Sequence, residues 1–255
     1  MRLELMTSPE VEKYLRGCRG IVLPVGSTEQ HGPMGLIGTD HLCPQVIARG
    51  FGEKHGVIVA PTLALGMSQF HLGFPGSLTL RPSTLSAVIG DIIASLDITG
   101  FTRLYILNGH GGNLAPIRSA VQEFYAARSL SGTGPSRMMV RVRSWWELPT
   151  VNALRKSLYG DAEGFHATPS ELAVTMASEP ENIGEFDLPP PAVETHGLLD
   201  HAGDNYLDAT DYRNRFPDGR VVSHSALARR ADGERLIAAG VADLAEDFAA
   251  FIAAA

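Results

Sequence analysis

Apolar residues along this chain fall into two alternating patterns. Short runs at Ile21–Val25, Val57–Ala60, Arg103–Leu107 and Met138–Val142 are rich in β-branched or large apolar residues, and most end at Gly, Pro or Asn. That combination predicts buried strands. Between them, Leu42–Lys54, Thr84–Leu96 and Ala115–Arg128 carry apolar residues at helical spacing. The second follows Pro82 and Ser83, a helix-start signal, and stops before Gly100. Strands alternating with helices imply parallel pairing through crossover helices, hence an α/β layered sheet. Beyond residue 143 the rhythm weakens. Pro169–Ala177 reads as a helix opening after Thr168, and Gly233–Ala255 is Ala-rich and helical. Between these, Glu179–Arg220 is irregular and contains five prolines, Pro180, Pro189, Pro190, Pro191 and Pro217. A stretch of that length predicts a functional cover or an oligomer contact. With no internal repeat or low-complexity linker, one domain over residues 1–255 is expected.

Composition narrows the class. At 44% hydrophobic and 19% charged residues the chain is of globular type, and 255 residues suffice for a sizeable core. A formal charge of −7 argues against a nucleic-acid surface. Cys18 and Cys43 are the only cysteines, so there is no disulfide framework and no CxxC metal site. Arg2, Glu4, Glu10, Glu12 and Lys13 interrupt any apolar leader, and no apolar run is long enough to span a bilayer. The expectation is a cytoplasmic protein that binds neither nucleic acid nor membrane.

The chemistry concentrates at strand ends. Leu23-Pro-Val-Gly-Ser-Thr-Glu29-Gln-His31-Gly-Pro runs on to Gly38-Thr-Asp40-His41, just past the first strand, and Leu107-Asn-Gly109-His110-Gly111-Gly112-Asn113 follows the third. Neighbouring parallel strands would aim Glu29, His31, Asp40 and His110 into one crevice. Two imidazoles and two carboxylates suit Zn²⁺ or Mn²⁺, and glycines beside His110 allow close backbone approach. A dinucleotide loop is the competing reading of Gly109-x-Gly111, but the third glycine is replaced by Leu114. A serine-hydrolase elbow at Gly66-Met-Ser68-Gln-Phe70 lacks its closing glycine. In Gly164-Phe-His166-Ala-Thr-Pro-Ser-Glu171, Thr168 and Glu171 suit a helix cap, while Glu171 as a metal carboxylate and His166 as a proton donor is the functional reading. A metal-binding protein without catalysis is the other alternative.

Taken in order, LPVGSTEQHGP…GTD, FPGSLTL, NGHGGN and H-x4-E resemble the creatininase family from about Leu23 to Glu171, with a weaker match at Ser223–Leu236 ending in Gly233-Glu234. The resemblance implies a three-layer α/β/α sandwich around a mostly parallel sheet, two Zn or Mn ions per chain, and a homo-oligomer, often a hexamer. It places Glu29, Asp40 and His110 on one ion, and His31 with bridging Asp40 on the second. The further carboxylate that creatininase takes from the position of Gly112 is missing, and Glu171 is the natural replacement. The implied reaction is hydrolysis of a non-peptide C–N bond in a small amide, cyclic amide or formamide by metal-activated hydroxide. His166 would protonate the leaving nitrogen, and Glu171 would hold the second ion or relay the water's proton. Trp146, His71 and Gly111 are the expected substrate contacts. Asp161-Ala162-Glu163 stands where creatininase has an aromatic lid, which points away from creatinine itself towards other amides, including formamides and peptide-like bonds. His41 is expected to point away from the site, and His55, His196, His201 and His224 to be loop or surface residues. His201 and Asp204 would line the pocket only if the proline-rich stretch folds over it.

Overall fold

The computed structural model describes residues 1–132, 134, 136–191 and 207–254. α1 (Ser8–Leu15) opens on a capping box between Thr7 and Glu10. β1 (Gly20–Val25) leads into α2 (Thr39–His55), β2 (Ile58–Val59) into α3 (Pro82–Ile98), β3 (Arg103–Asn108) into α4 (Leu114–Ser131), and β4 (Met139–Ser144) into α5 (Pro149–Tyr159). α6 (Pro169–Ser178), α7 (Ala209–Arg215) and α8 (Arg230–Ala253) follow. All four strands foreseen in the sequence are present, though the second keeps only two paired residues.

These strands form one sheet in the order β2-β1-β3-β4, and every neighbouring pair is parallel. β1, β2 and β3 are apolar on both faces because both faces are covered, whereas the edge strand β4 alternates Val140 and Val142 with Arg141 and Arg143. Val22, Val59, Tyr105 and Leu107 enter a core with Ile47 and Phe51 of α2, Leu172 of α6 and Phe248 of α8. Ile21, Leu23, Val25, Leu104 and Ile106 enter a second core with Leu85, Ile89 and Ile93 of α3 and Ile117 of α4. Each such side chain contributes roughly 1.5–3 kcal/mol by leaving water. The result is a three-layer α/β/α sandwich that holds the strand ends rigidly.

Chain order then creates the crevice. β1 connects through α2, on one face, to β2; the chain returns through α3, on the opposite face, to β3 on the other side of β1. Reversal of this kind parts the loops beyond the carboxyl ends of β1 and β3, where open α/β sheets bind ligands.

The hydrophobic pattern misses α1, α5 and α7. All three are short, and two carry start signals that periodicity does not weigh: Thr7-x-x-Glu10 at α1 and Pro149 in the first turn of α5. α7 interrupts the stretch 179–220 that was expected to be irregular, its Asp208 accepting the Thr210 and Asp211 N–H groups as an N-cap. Among the described residues no helix is long and apolar enough to cross a membrane.

Candidate metal centre and active site

Val25 and Asn108 are partners at the ends of β1 and β3, and the loops leaving them carry the reactive side chains. The β1 loop folds back, with the Gly35 N–H donating to His31 O at 3.0 Å, and buries Glu29 and His31 completely. Asp40, 3% exposed, stands in the first turn of α2. Beyond β3, Asn108 Nδ2 donates to His110 O at 2.7 Å while its Oδ1 accepts the His110 N–H at 3.2 Å. Gly109 brings this turn against α2: a Cβ there would stand 1.9 Å from Asp40 O.

The four residues converge. Asp40 Oδ1 lies 3.1 Å from His31 Nε2, and Oδ2 lies 3.0 Å from His110 Nδ1. Glu29 Oε1 lies 3.3 Å from His110 Nδ1, 3.2 Å from His71 Nε2 and 3.6 Å from His166 Nδ1. Ligand atoms of Glu29, His31 and Asp40 fall within 4.8 Å of one another, as do those of Glu29, His71 and His166.

The outer ring nitrogens define which inner ones offer a lone pair. His31 Nδ1 meets Glu29 O at 3.1 Å, His110 Nε2 meets Met67 O at 2.9 Å, and His166 Nε2 meets Gln30 O at 2.7 Å. A carbonyl only accepts, so in each neutral ring the outer nitrogen holds the proton, the pattern of a metal-ligating imidazole. His71 differs. Gln30 Oε1 accepts the Gly32 N–H at 2.8 Å and Gln30 Nε2 donates to Gly219 O at 3.1 Å, which fixes the amide's orientation. The other Nε2 hydrogen faces His71 Nδ1 at 2.9 Å, so His71 turns an Nε2–H, not a lone pair, towards Glu29.

Electrostatics separate the imidazoles in the same way. Burial lowers His31, but Asp40 outweighs it and lifts the ring to about 9. Burial opposes protonation of His110 too, yet Glu29 and Asp40 hold it well above the ordinary range. His71 is lowered by burial, and His166 falls well below its usual value through burial and the neighbouring His71 and His31. Burial raises the Glu29 carboxyl, but His110 and His71 overcome this and keep it well below the carboxylate range.

A divalent cation fits this donor set on structural grounds. Glu29 Oε1 and Oε2 and Asp40 Oδ2 are buried with no well-aligned hydrogen bond. Buried carboxylate oxygens left so are costly unless a cation compensates them. Oxygen and imidazole donors together suit Zn²⁺ or Mn²⁺.

Glu171 opens α6 and completes a capping box: its N–H donates to Thr168 Oγ1 at 3.2 Å, and its Oε2 accepts the Thr168 N–H at 2.8 Å. It also lines the same cavity as Asp40, His110 and His166, and its charge helps to raise His31. Burial in turn raises the Glu171 carboxyl, against the pull of His31. Gly112 has no room for a side chain in this arrangement, since a Cβ would lie 2.6 Å from both Met67 O and His110 Nε2. His166 is aimed by a strained loop. Ala167 and Val222 adopt φ of 56° and 62°, a conformation costing on the order of 1–3 kcal/mol in a non-glycine residue.

Above the carboxylates opens a cavity of about 680 Å³. Gly111 is exposed on its wall, and Trp146 lines it half-buried over the fully buried Trp145. His41 Nδ1 meets Ser27 O at 3.0 Å, away from the cluster. His55 is exposed and His224 half-buried; His196, His201 and Asp204 lie outside the described residues. Sequence reasoning does not single out Gln30, which ties His71 and His166 together, nor Arg118 and Arg155, which line the cavity. Gln30 stands between two singled-out residues, but a neutral amide carries no signal of its own.

A family model described as creatininase, creatinine amidohydrolase, matches residues 4–248. Creatinine amidohydrolase of Pseudomonas putida is 29% identical over 240 residues, covering 89% of this chain and 87% of that protein. The mycofactocin precursor peptide peptidase of Mycolicibacterium smegmatis is 35% identical over 107 residues, 40% of this chain and 43% of that one, so the family includes peptidases. Among solved structures, a creatininase mutant of Zn-Zn type superimposes with a TM-score of 0.80 at 26% identity, covering 99% of this chain and 98% of its own. A creatininase described with Mn does so with a TM-score of 0.80 at 25% identity and the same coverage. With the family model spanning nearly the whole chain and the fold shared from end to end, this protein belongs to the creatininase family.

Proposed function

We propose that the chain is a binuclear metal-dependent amidohydrolase cleaving a C–N bond in an amide, cyclic amide or formamide. The observation that carries this is the set of buried carboxylate oxygens on Glu29 and Asp40 that lack a well-aligned hydrogen bond, facing His31 and His110 beneath an open cavity. Glu29, His31, Asp40, His110 and Glu171 are the residues that would hold two divalent ions, zinc or manganese, and Asp40 would serve both because its two oxygens face different imidazoles. Bound there, the ions supply Lewis acidity, activating water and polarising a carbonyl.

The remaining residues manage protons and position. His166, kept neutral and with its Nε2–H given to Gln30 O, presents Nδ1 as a base towards the cavity floor. It accepts the proton of the attacking water and returns it to the leaving nitrogen. His71 steadies the Glu29 carboxylate through its Nε2–H. Trp146 and the exposed backbone of Gly111 contact substrate from the wall. The peptidase relative leaves the bond class open between non-peptide and peptide amides, and we favour the former on the overall match to creatinine amidohydrolase. Metal-supplemented protein, screened against creatinine, cyclic ureides, formamides and short peptides for released amine, tests the proposal. Turnover of none of them by protein shown to hold metal would sink it.

A further inference from the structure

The cavity is larger than the cleavage of a small neutral ring requires, and two arginines line it. At about 680 Å³ it falls in the range of pockets that enclose drug-sized ligands. Its upper wall is apolar and aromatic, with Phe70, Trp146 and Phe165, the last 61% exposed at the rim.

Two arginines face this space. Arg118 lies on α4, four residues after Leu114, and both line the cavity, so they share one face of the helix. Four residues advance roughly 6 Å along an α-helix, which sets the guanidinium stem about one turn beyond the His110 loop. Arg118 is exposed and makes no hydrogen bond or ion pair among the described residues. Arg155 is fixed: its Nε donates to Glu163 Oε1 at 2.7 Å and to Ser170 Oγ at 3.1 Å, and its Nη1 donates to Trp146 O at 3.1 Å. Its Nη2 has no partner among the described residues. A free guanidinium on the wall of a cavity that a second arginine with an open donor also lines is the chemistry that recognises an oxyanion.

Resting on the amidohydrolase reading above, we propose that the substrate carries an oxyanion group, a carboxylate or a phosphate, about one helical turn from the scissile C–N bond. Arg118 binds that group with help from Arg155 Nη2, and the apolar wall holds the body between the two ends. The enzyme is therefore selective for acidic amides with an aromatic or apolar core.

A matched set of rigid probes tests this: 4-formamidobenzoate, its neutral isostere 4-formamidobenzamide, and 4-formamidophenyl phosphate. Hydrolysis of each consumes one water and yields formate and the free arylamine. With metal-replete protein, kcat/KM for the preferred anion should exceed that of the amide by about tenfold. Carboxylate and phosphate arms identify which anion is preferred. Arg118→Met should bring that ratio towards one, and Arg118→Lys should restore part of it. Binding is read separately by calorimetry with 4-aminobenzoate, 4-aminobenzamide and 4-aminophenyl phosphate. The preferred anion should bind more tightly than the amide, less so in high salt, and the difference should shrink in Arg118→Met. Equal treatment of anion and amide in both assays overturns the proposal, as does an anion preference that Arg118→Met leaves intact. Failure to cleave any formamide, with the salt-sensitive Arg118-dependent binding present, would instead fault the choice of scissile bond and leave the anion site standing.

Discussion

Adding zinc to metal-free protein at pH 7.5 is expected to release about two protons per chain, and that count discriminates between ligand sets. His31, lifted to about 9, is ~97% protonated at that pH, and His110 is raised well above the ordinary range as well. An unperturbed histidine with a pKa of about 6.5 would be only ~10% protonated there. A ligating imidazole must be neutral, so occupying His31 and His110 expels a proton from each. His71 and His166 are lowered, so their rings are already neutral at pH 7.5 and would release no proton on binding metal. Any proton retained by Glu171, whose carboxyl is raised, adds to the count. Titration calorimetry in buffers of different ionisation enthalpy reads the number directly. A value near zero with full metal binding would refute the assignment and transfer the ions to the Glu29, His71 and His166 group.

The sign carries over to pH dependence. Because each ion displaces a proton from one of these imidazoles, the affinity for each should rise with pH below about 9, by roughly tenfold per unit where its imidazole is protonated. Stability of the metal-free protein runs the other way. A folded-state pKa above the unfolded value of about 6.5 contributes stability that is fully present below 6.5 and is lost as pH rises through about 9. For His31 that contribution is on the order of 3 kcal/mol. Metal-free protein should therefore melt at progressively lower temperature from pH 6.5 to 9, and zinc should abolish most of the trend.

Other substitutions separate the roles further. Asp40→Ala should cost both ions and His31→Ala mainly one, measured by elemental analysis; full occupancy in both variants would show the bridge to be wrongly placed. Glu171→Gln can keep the capping box and should hold its melting temperature while losing metal, whereas Thr168→Ala should lose about 1 kcal/mol of stability and keep its metal. If Glu171→Gln retains both ions, Glu171 is a cap and nothing more. His166→Ala should retain both ions yet lose about a hundred- to ten-thousand-fold in turnover, and less for substrates with good leaving amines; loss of an ion would make His166 a ligand.

What could be read from the sequence follows from how each feature is encoded. The sheet was legible because strands covered on both faces become nearly continuous apolar runs, and Ile21–Val25 and Arg103–Leu107 are of that kind. Glu29, His31, Asp40 and His110 were legible because the topology places them: loops after neighbouring parallel strands must meet where the crossovers change face. The roles of His71 and Gln30 were not legible, since they turn on which ring nitrogen accepts from which amide hydrogen, a matter of ångströms between segments 41 residues apart. Arg118 was hidden for a different reason. On a helix surface an arginine is ordinarily a solvated charge, and only the fold shows that Arg118 shares a cavity wall with Trp146, Phe165 and Leu114. Candidate ligands are thus brought together by local loops that a motif can capture. Groups that line a cavity are fixed by the shape those loops enclose, and Arg118 and Arg155 reach this one from helices outside the motif-bearing loops.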